Sequence, residues 1–419
     1  MSLRARWQAT ATLVARTRDV LDARPGDPRW QGDGGAPAAL AARGWASHLL
    51  SLSDARVEAL ETRGTDADWG DAPPSLAAML HDARAVCAMP SLRAEGATRP
   101  ARRLETPRKR AQIDAFAEVI VPLASRATRV VDVGSGHGHL TREIAGRIAT
   151  PVVGLERDAA LANRARALPS SGAAAFAVTD VLRDGLSFSA GDCAIGLHAC
   201  GELGDAMVES VGRVEGDARV SIALVGCCLQ KRRAASRRPL VRVGEDRQSR
   251  ELAERSELAA LESALELPRP LLGLSNLTAR DEGVEATRAE NVAGRERRLA
   301  LHRLLSARVG ALRLGAEIDG LNRRAAQGDL SSLVARAFGH RGLAMPSSPE
   351  IEAAAAWART EHARARRLSL PRSMLARVLE VFVLLDRAVY LEERGFTVSV
   401  GTVFASSVSA RNLGLVGSR

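Results

Sequence analysis

The stretch that most constrains the fold is Arg129 to Ala145, RVVDVGSGHGHLTREIA, where an apolar run enters a glycine-rich turn and leaves it as a helical repeat. Val130, Val131 and Val133 are β-branched and suit a strand covered on both faces. Gly134, Gly136 and Gly138 let the backbone turn sharply and approach a ligand with no Cβ in between. Leu140, Ile144 and Ile148 then recur at helical spacing. The glycines read G-x-G-x-G rather than the G-x-G-x-x-G of dinucleotide folds, which shifts the expected ligand from a pyrophosphate to S-adenosylmethionine.

The segments that follow strengthen this reading. PVVGLERD is a second apolar strand ending in Glu156, 18 residues beyond Gly138, where a carboxylate can accept both ribose hydroxyls of an adenosine. AAAFAVTD ends in Asp180, whose side chain can accept from the exocyclic amine of adenine. DCAIGLHACG carries Leu197, His198 and Cys200, and VSIALVGCC ends in Cys227 and Cys228, so five strand ends are expected on one rim, where open α/β sheets bind ligands. The expected cofactor contacts are Asp132, Gly134, Ser135, Gly136, Gly138, Glu156, Arg157, Asp180, Val181 and Leu197. TVSVGTVF and RNLGLVGSR suit two antiparallel strands that close the sheet.

The glycine loop with Glu156 and Asp180 resembles class I S-adenosylmethionine-dependent methyltransferases. TPRKR (Thr106 to Arg110), GLHACGEL (Gly196 to Leu203), VGCCLQK (Val225 to Lys231), LDRAVYLEERGF (Leu385 to Phe396) and SARN (Ser409 to Asn412) resemble the methyltransferase-like protein 25 family and its bacterial relatives, as does WASHLLSLSDARVEALETRG (Trp45 to Gly64). The resemblance implies an α/β, Rossmann-like class I methyltransferase sheet, parallel with an antiparallel closing strand, and transfer of a methyl group from S-adenosylmethionine. It implies that Asp132 helps to hold the methionine end of the cofactor, a structural bond to the loop amides being the alternative.

His198 and Cys200 are expected at the reacting face. An imidazole titrates near neutrality and can remove a proton from an attacking amine or hydroxyl; the alternative is a histidine bonded to a neighbouring backbone carbonyl. His137 and His139 suit a capping role at the helix start as well as a ligand contact. Three cysteines and a histidine can bind zinc tetrahedrally, but adjacent residues on a strand point in opposite directions, so Cys200, Cys227 and Cys228 are expected as polarizable wall residues without a metal.

The net charge is +10, and every basic residue but Lys109 and Lys231 is arginine, a bias that GC-rich coding also produces. ARRLETPRKR (Ala101 to Arg110) and QKRRAASRRPLVR (Gln230 to Arg242) should flank the mouth of the pocket. Lys109, Arg110, Arg232, Arg233, Arg237 and Arg238 are the candidate phosphate contacts, which makes RNA the expected acceptor; a solvated charged loop is the plainer reading. Aromatics, at 3%, leave few side chains for stacking unpaired bases. A protein or small amine is the second acceptor class, and a non-catalytic, cofactor-binding ribonucleoprotein scaffold is the competing function. Five cysteines without disulfide-like spacing suggest a reducing cytoplasm, and no apolar run approaches the roughly 20 residues of a membrane-spanning helix. The expected organisation is a helical region over 1–98, broken by a turn-rich loop at Asp22 to Ala38, with Ser53 and Asp54 at a helix start. A core follows over 99–235, then a basic loop and helical insertion over 236–367, and a closing helix with a strand hairpin over 368–419.

Overall fold

The valine-rich run forms β1 (Arg129–Val133), and six further strands join it: β2 (Val152–Glu156), β3 (Ala174–Val178), β4 (Asp192–Cys200), β5 (Ser221–Cys227), β6 (Thr397–Thr402) and β7 (Leu413–Ser418). The computed structural model describes residues 1–24, 35–92, 105–169, 172–216, 218–242, 255–276, 288–322 and 328–419. The strand order is β3-β2-β1-β4-β5-β7-β6. β1 to β5 run parallel, and β7 is antiparallel to both β5 and β6. This is the Rossmann-like class I methyltransferase sheet that the sequence implies. The chain winds outward from β1 to β3 and then returns to β4 on the other side of β1, so the crevice at the switch point lies between the ends of β1 and β4.

TPRKR begins a helix rather than a loop. Thr106 caps it by accepting from the Lys109 amide, and Pro107 supplies a fixed φ at the first helical position. Ile113, Phe116 and Ile120 of this Pro107–Ala124 helix pack with Val130, Ile144, Val152 and Ile195 to cover β1. Such burial accounts for the absence of alternation in β1, whose last four residues are all buried.

The chain divides into two compact units that interleave along the sequence: Met1–Arg18, Asp82–Glu282 and Ala376–Arg419 form one, and Asp19–His81 with Gly283–Leu375 form the other. They cut across the four consecutive segments read from the sequence. In the first unit the Leu3–Arg16 helix lies along the Ala376–Glu392 helix, with Trp7 stacked on Phe382 at 6.4 Å between ring centroids. In the second, Ser53 caps the Asp54–Arg63 helix as expected, accepting from the Arg56 amide. That helix packs against the Ser348–Met374 helix, where Arg366 donates to Glu61 at 2.7 Å and Arg367 to Asp54 at 2.8 Å. The core of the second unit joins Leu301, Leu304 and Leu305 to Leu333 and Phe338. The segment after β5 was expected as a loop. Its Ser236–Arg237 pairs with Leu267–Pro268 as a short antiparallel ladder, and residues 243–254 lie outside the described residues, as do 25–34 and 101–104. Among the described residues no helix is long and apolar enough to cross a membrane.

Candidate active site

The glycine loop crosses from β1 over β2, with the amides of Gly134 and Ser135 donating to Leu155 O at 2.9 and 3.0 Å. Gly134, Gly136 and Gly138 have φ of 78°, 56° and 69°, a region that favours glycine. A Cβ on Gly138 would stand 2.3 Å from the Phe176 ring, whereas one on Gly136 would meet nothing within 4 Å. The Glu156 carboxylate faces this bend: Oε2 accepts from the Gly136 amide and Oε1 from the Asp158 amide, each at 2.9 Å. Ser135 Oγ, which stands over Gly154, is buried without a hydrogen-bond partner. A buried hydroxyl without a partner is costly. Together they make a cradle that fits a ligand bearing hydroxyl and amino groups, and S-adenosylmethionine has both.

Asp132, 2% exposed, accepts from Thr141 Oγ1 at 2.7 Å. Burial pushes its carboxyl up to about 6, outweighing the stabilising Thr141 bond. Asp180 stands at the end of β3 with Oδ1 accepting from the Leu182 amide as a helix cap and Oδ2 3.3 Å from an Arg233 guanidinium nitrogen. Arg157 is exposed, and Val181 and Leu197 are partly buried.

Among the described residues two that are not glycine have positive φ, and both lie on this rim: His198 (68°) and Cys228 (43°). In the β4–β5 ladder Leu197 pairs with Val225 and Ala199 with Gly226, so His198 is an extra residue, bulged out of the strand alternation. His198 Nε2 lies 2.9 Å from Gln112 Oε1 on the Pro107–Ala124 helix, not against a backbone carbonyl. An amide oxygen only accepts, so the neutral ring carries its proton on Nε2 and leaves Nδ1 as the basic atom. Burial, then the Arg411 charge, pushes this imidazole down to about 4. Gln112 carries no local sequence signal, whereas Arg411 lies in the SARN segment.

The cysteines converge. β5 ends at Cys227, and the left-handed backbone at Cys228 breaks the alternation that would send the two side chains apart. The Sγ atoms of Cys200, Cys227 and Cys228 all lie within 4.8 Å of one another, which corrects the expectation of divergent directions. Cys200 is the register partner of Cys227, with 2.8 Å between their sulfurs. Arg411 donates to Cys228 Sγ at 3.0 Å and to Asn276 Oδ1 at 3.1 Å. Hydrogen bonds from the other two thiols, with the Arg411 charge, hold the Cys228 thiol below the usual range, while hydrogen bonds with Cys200 and Cys228, and burial, raise Cys227.

Residues 108–235 match the family model of a methyltransferase domain. Among the solved structures similar to this chain are three methyltransferases. The Haloferax volcanii methyltransferase determined with the Trm112 activator is 21% identical over 27% of this chain and 50% of its own, with a TM-score of 0.22. A S-adenosylmethionine-dependent methyltransferase from Mesorhizobium loti is 20% identical over 27% and 55%, TM-score 0.21. One from Geobacter sulfurreducens, bound to S-adenosyl-L-homocysteine, is 18% identical over 29% and 51%, TM-score 0.23. This chain spans about half the length of each.

Within the first unit, three of the six expected phosphate contacts prove to be internal. Arg110, 1% exposed, is held by Asp114 and by Glu143 at 2.9 Å. Arg237, 2% exposed, donates to Asp386 at 2.7 Å and Asp205 at 2.9 Å. Arg232 reaches Asp205 at 3.1 Å with its side chain buried. Arg387 completes the cluster, donating to Asp205 and to Gly201 O at 2.9 Å each. Burial alone would raise the Asp205 carboxyl, but Arg237 and Arg387 outweigh it and hold it well below the usual carboxylate range. Asp386 also accepts from the Leu240 and Val241 amides, so the LDRAVYLEERGF segment clamps the chain after β5. Arginines this buried and paired cannot meet phosphates. Arg233 and Arg238 are exposed, paired to Asp180 and Glu266, and Lys109 is partly buried.

Proposed function

We propose that this chain is a S-adenosylmethionine-dependent methyltransferase of the methyltransferase-like protein 25 type, and that its acceptor is RNA. One observation carries the donor: the glycine bend, with Glu156 bonded to the Gly136 amide, an unpartnered Ser135 hydroxyl and open space beside Gly136, at the switch point of the sheet.

When bound, the cofactor supplies a sulfonium-activated methyl group. In this reading the Gly134–Gly138 backbone lies beneath it, and Glu156 exchanges its bond to the loop for the ribose hydroxyls. The buried charge of Asp132 favours a cationic ligand. Transfer from a sulfonium needs an in-line nucleophile more than acid catalysis, so the task left to His198 is to take a proton at Nδ1 as the acceptor attacks. Held below the usual imidazole range, the ring stays neutral near pH 7 and is a weak base that takes the proton only as the acceptor's acidity rises on attack.

RNA as acceptor is supported by the net charge of +10 and by Lys109, Arg233 and Arg238, the cations of the original set that are not internal. The test is transfer of labelled methyl into total RNA and protein, alongside calorimetry with S-adenosylmethionine. Label is expected in RNA, with Glu156→Ala weakening donor uptake roughly 10- to 100-fold, the worth of hydrogen bonds to a charged group. Label confined to protein or small amines would overturn the acceptor. Binding without transfer to any acceptor would favour the scaffold, and no donor uptake would overturn the whole reading.

A further inference from the structure

We propose that Cys200, Cys227 and Cys228 form a three-thiolate site for a soft metal ion, zinc(II) foremost, with one coordination position left open. The inference goes beyond the methyl-transfer reading and does not rest on it.

The geometry comes first. Zinc–sulfur bonds of ~2.3 Å place the sulfurs of a tetrahedral site about 3.8 Å apart. The three sulfurs lie within 4.8 Å of one another, and the Cys200–Cys227 pair, now 2.8 Å apart, would have to open by about 1 Å, so small side-chain rotations suffice to seat such an ion. Two of them sit on neighbouring strands in direct register, Cys200 opposite Cys227, so the sheet fixes their separation.

The third thiol is there against the preference of the backbone. Cys228 has φ of 43°, where glycine or asparagine would be the unstrained choice. A small wall residue has no need of that conformation. A ligand that must turn back toward Cys227 does, because continued strand alternation would carry its sulfur to the opposite face. Strain of this kind persists where function holds it.

Charge and room agree. Three thiolates around zinc(II) carry a net charge of −1, and the Arg411 guanidinium, 3.0 Å from Cys228 Sγ and anchored by Asn276, offsets it. Hydrogen bonds to ligand atoms of this kind orient and tune a metal site. Cys227, Cys228, Ser275, Glu380 and Arg411 line a small cleft with room for roughly one water-sized group, enough for a fourth ligand. Three protein ligands and an open position are the arrangement of a catalytic ion rather than a structural one. Thiolates select zinc, or copper(I), over harder cations.

The full chain, purified under reductant, is assayed for bound zinc, stripped with a chelator and titrated with cobalt(II). One metal per chain is expected, with a thiolate-to-cobalt charge-transfer band, tetrahedral visible bands and displacement by zinc. Cys200→Ser and Cys228→Ser should each weaken cobalt binding at least 10-fold, while Cys87→Ser leaves it unchanged. Circular dichroism measured on the same samples reports whether each variant is folded. Should the variants unfold, alkylation of the wild-type chain decides, since zinc must then protect three of its five cysteines. Substoichiometric metal without a charge-transfer band, a Cys200/Cys228 double variant that binds like the wild type, or thiols equally reactive with and without zinc would overturn the site. Cobalt binding without donor uptake would instead count against the methyl-transfer reading and leave the metal site standing.

Discussion

Burial moves Asp132 and His198 along the pH axis in opposite directions, to about 6 and about 4, and the consequences for stability are opposite in sign. Between the unfolded carboxylate value and about 6, folded Asp132 holds a proton that the unfolded chain has released, so its contribution falls as pH rises, by about 3 kcal/mol in all. His198 does the reverse: between about 4 and 6.5 the unfolded chain binds the extra proton, and stability rises with pH. Urea midpoints at pH 5 and 7.5 should therefore show Asp132→Asn gaining relative to wild type at the higher pH. A parallel loss at both values would mean that the carboxylate is not strained by burial. If His198 Nδ1 takes the acceptor's proton, His198→Asn should lower kcat by roughly 100-fold or more while donor affinity stays near wild type. A fall in affinity with kcat preserved would make it a wall of the pocket. The glycine spacing and Glu156 were readable because they serve one short loop. Gln112 was not, since it reaches the site from another element, and SARN marked Arg411 without showing which thiol it meets.

At the scale of elements, the strand–turn–helix unit separates glycines that hold the fold from one that leaves space. Gly138→Ala drives a Cβ into the Phe176 ring in addition to straining φ, whereas Gly136→Ala carries only the backbone cost, of order 1 kcal/mol. Thermal unfolding should thus separate them, Gly138→Ala losing more stability, with Gly136→Ala losing donor affinity out of proportion because its methyl fills the cradle. Equal effects on both quantities would remove the distinction. The buried cluster after β5 behaves as a single device. Asp205→Ala leaves Arg232, Arg237 and Arg387 without their shared counter-charge, and the expected cost is about 3–5 kcal/mol by chemical denaturation. A loss below 1 kcal/mol would show that water reaches the arginines. LDRAVYLEERGF stood out as a motif, and its Asp386 and Arg387 brace the backbone around the cysteine cleft, a task that the order of residues along one helix does not encode.

At the scale of the whole molecule, each compact unit is assembled from distant stretches of chain, and each has a core of its own. Phe338→Ala empties the second core and should destabilise that unit by roughly 3–5 kcal/mol. Donor affinity in the methyltransferase domain should stay within about twofold, below half a kcal/mol; a larger loss measured by calorimetry would show that the two units act as one. The sequence by itself determined the parallel sheet, its antiparallel closing strands, the glycine bend and the carboxylate at the end of β2. All of these follow from patterns a few residues long, whose partners are near in sequence or fixed by strand periodicity. Only the tertiary structure decided which arginines are internal, that three cysteines meet, and how the helices divide between two units. Asp205 finds Arg387 182 positions away, and Cys228 turns toward Cys227 because of its own backbone angle. Charge and thiol content are visible in composition, but solvent access and convergence belong to contacts that the fold alone creates.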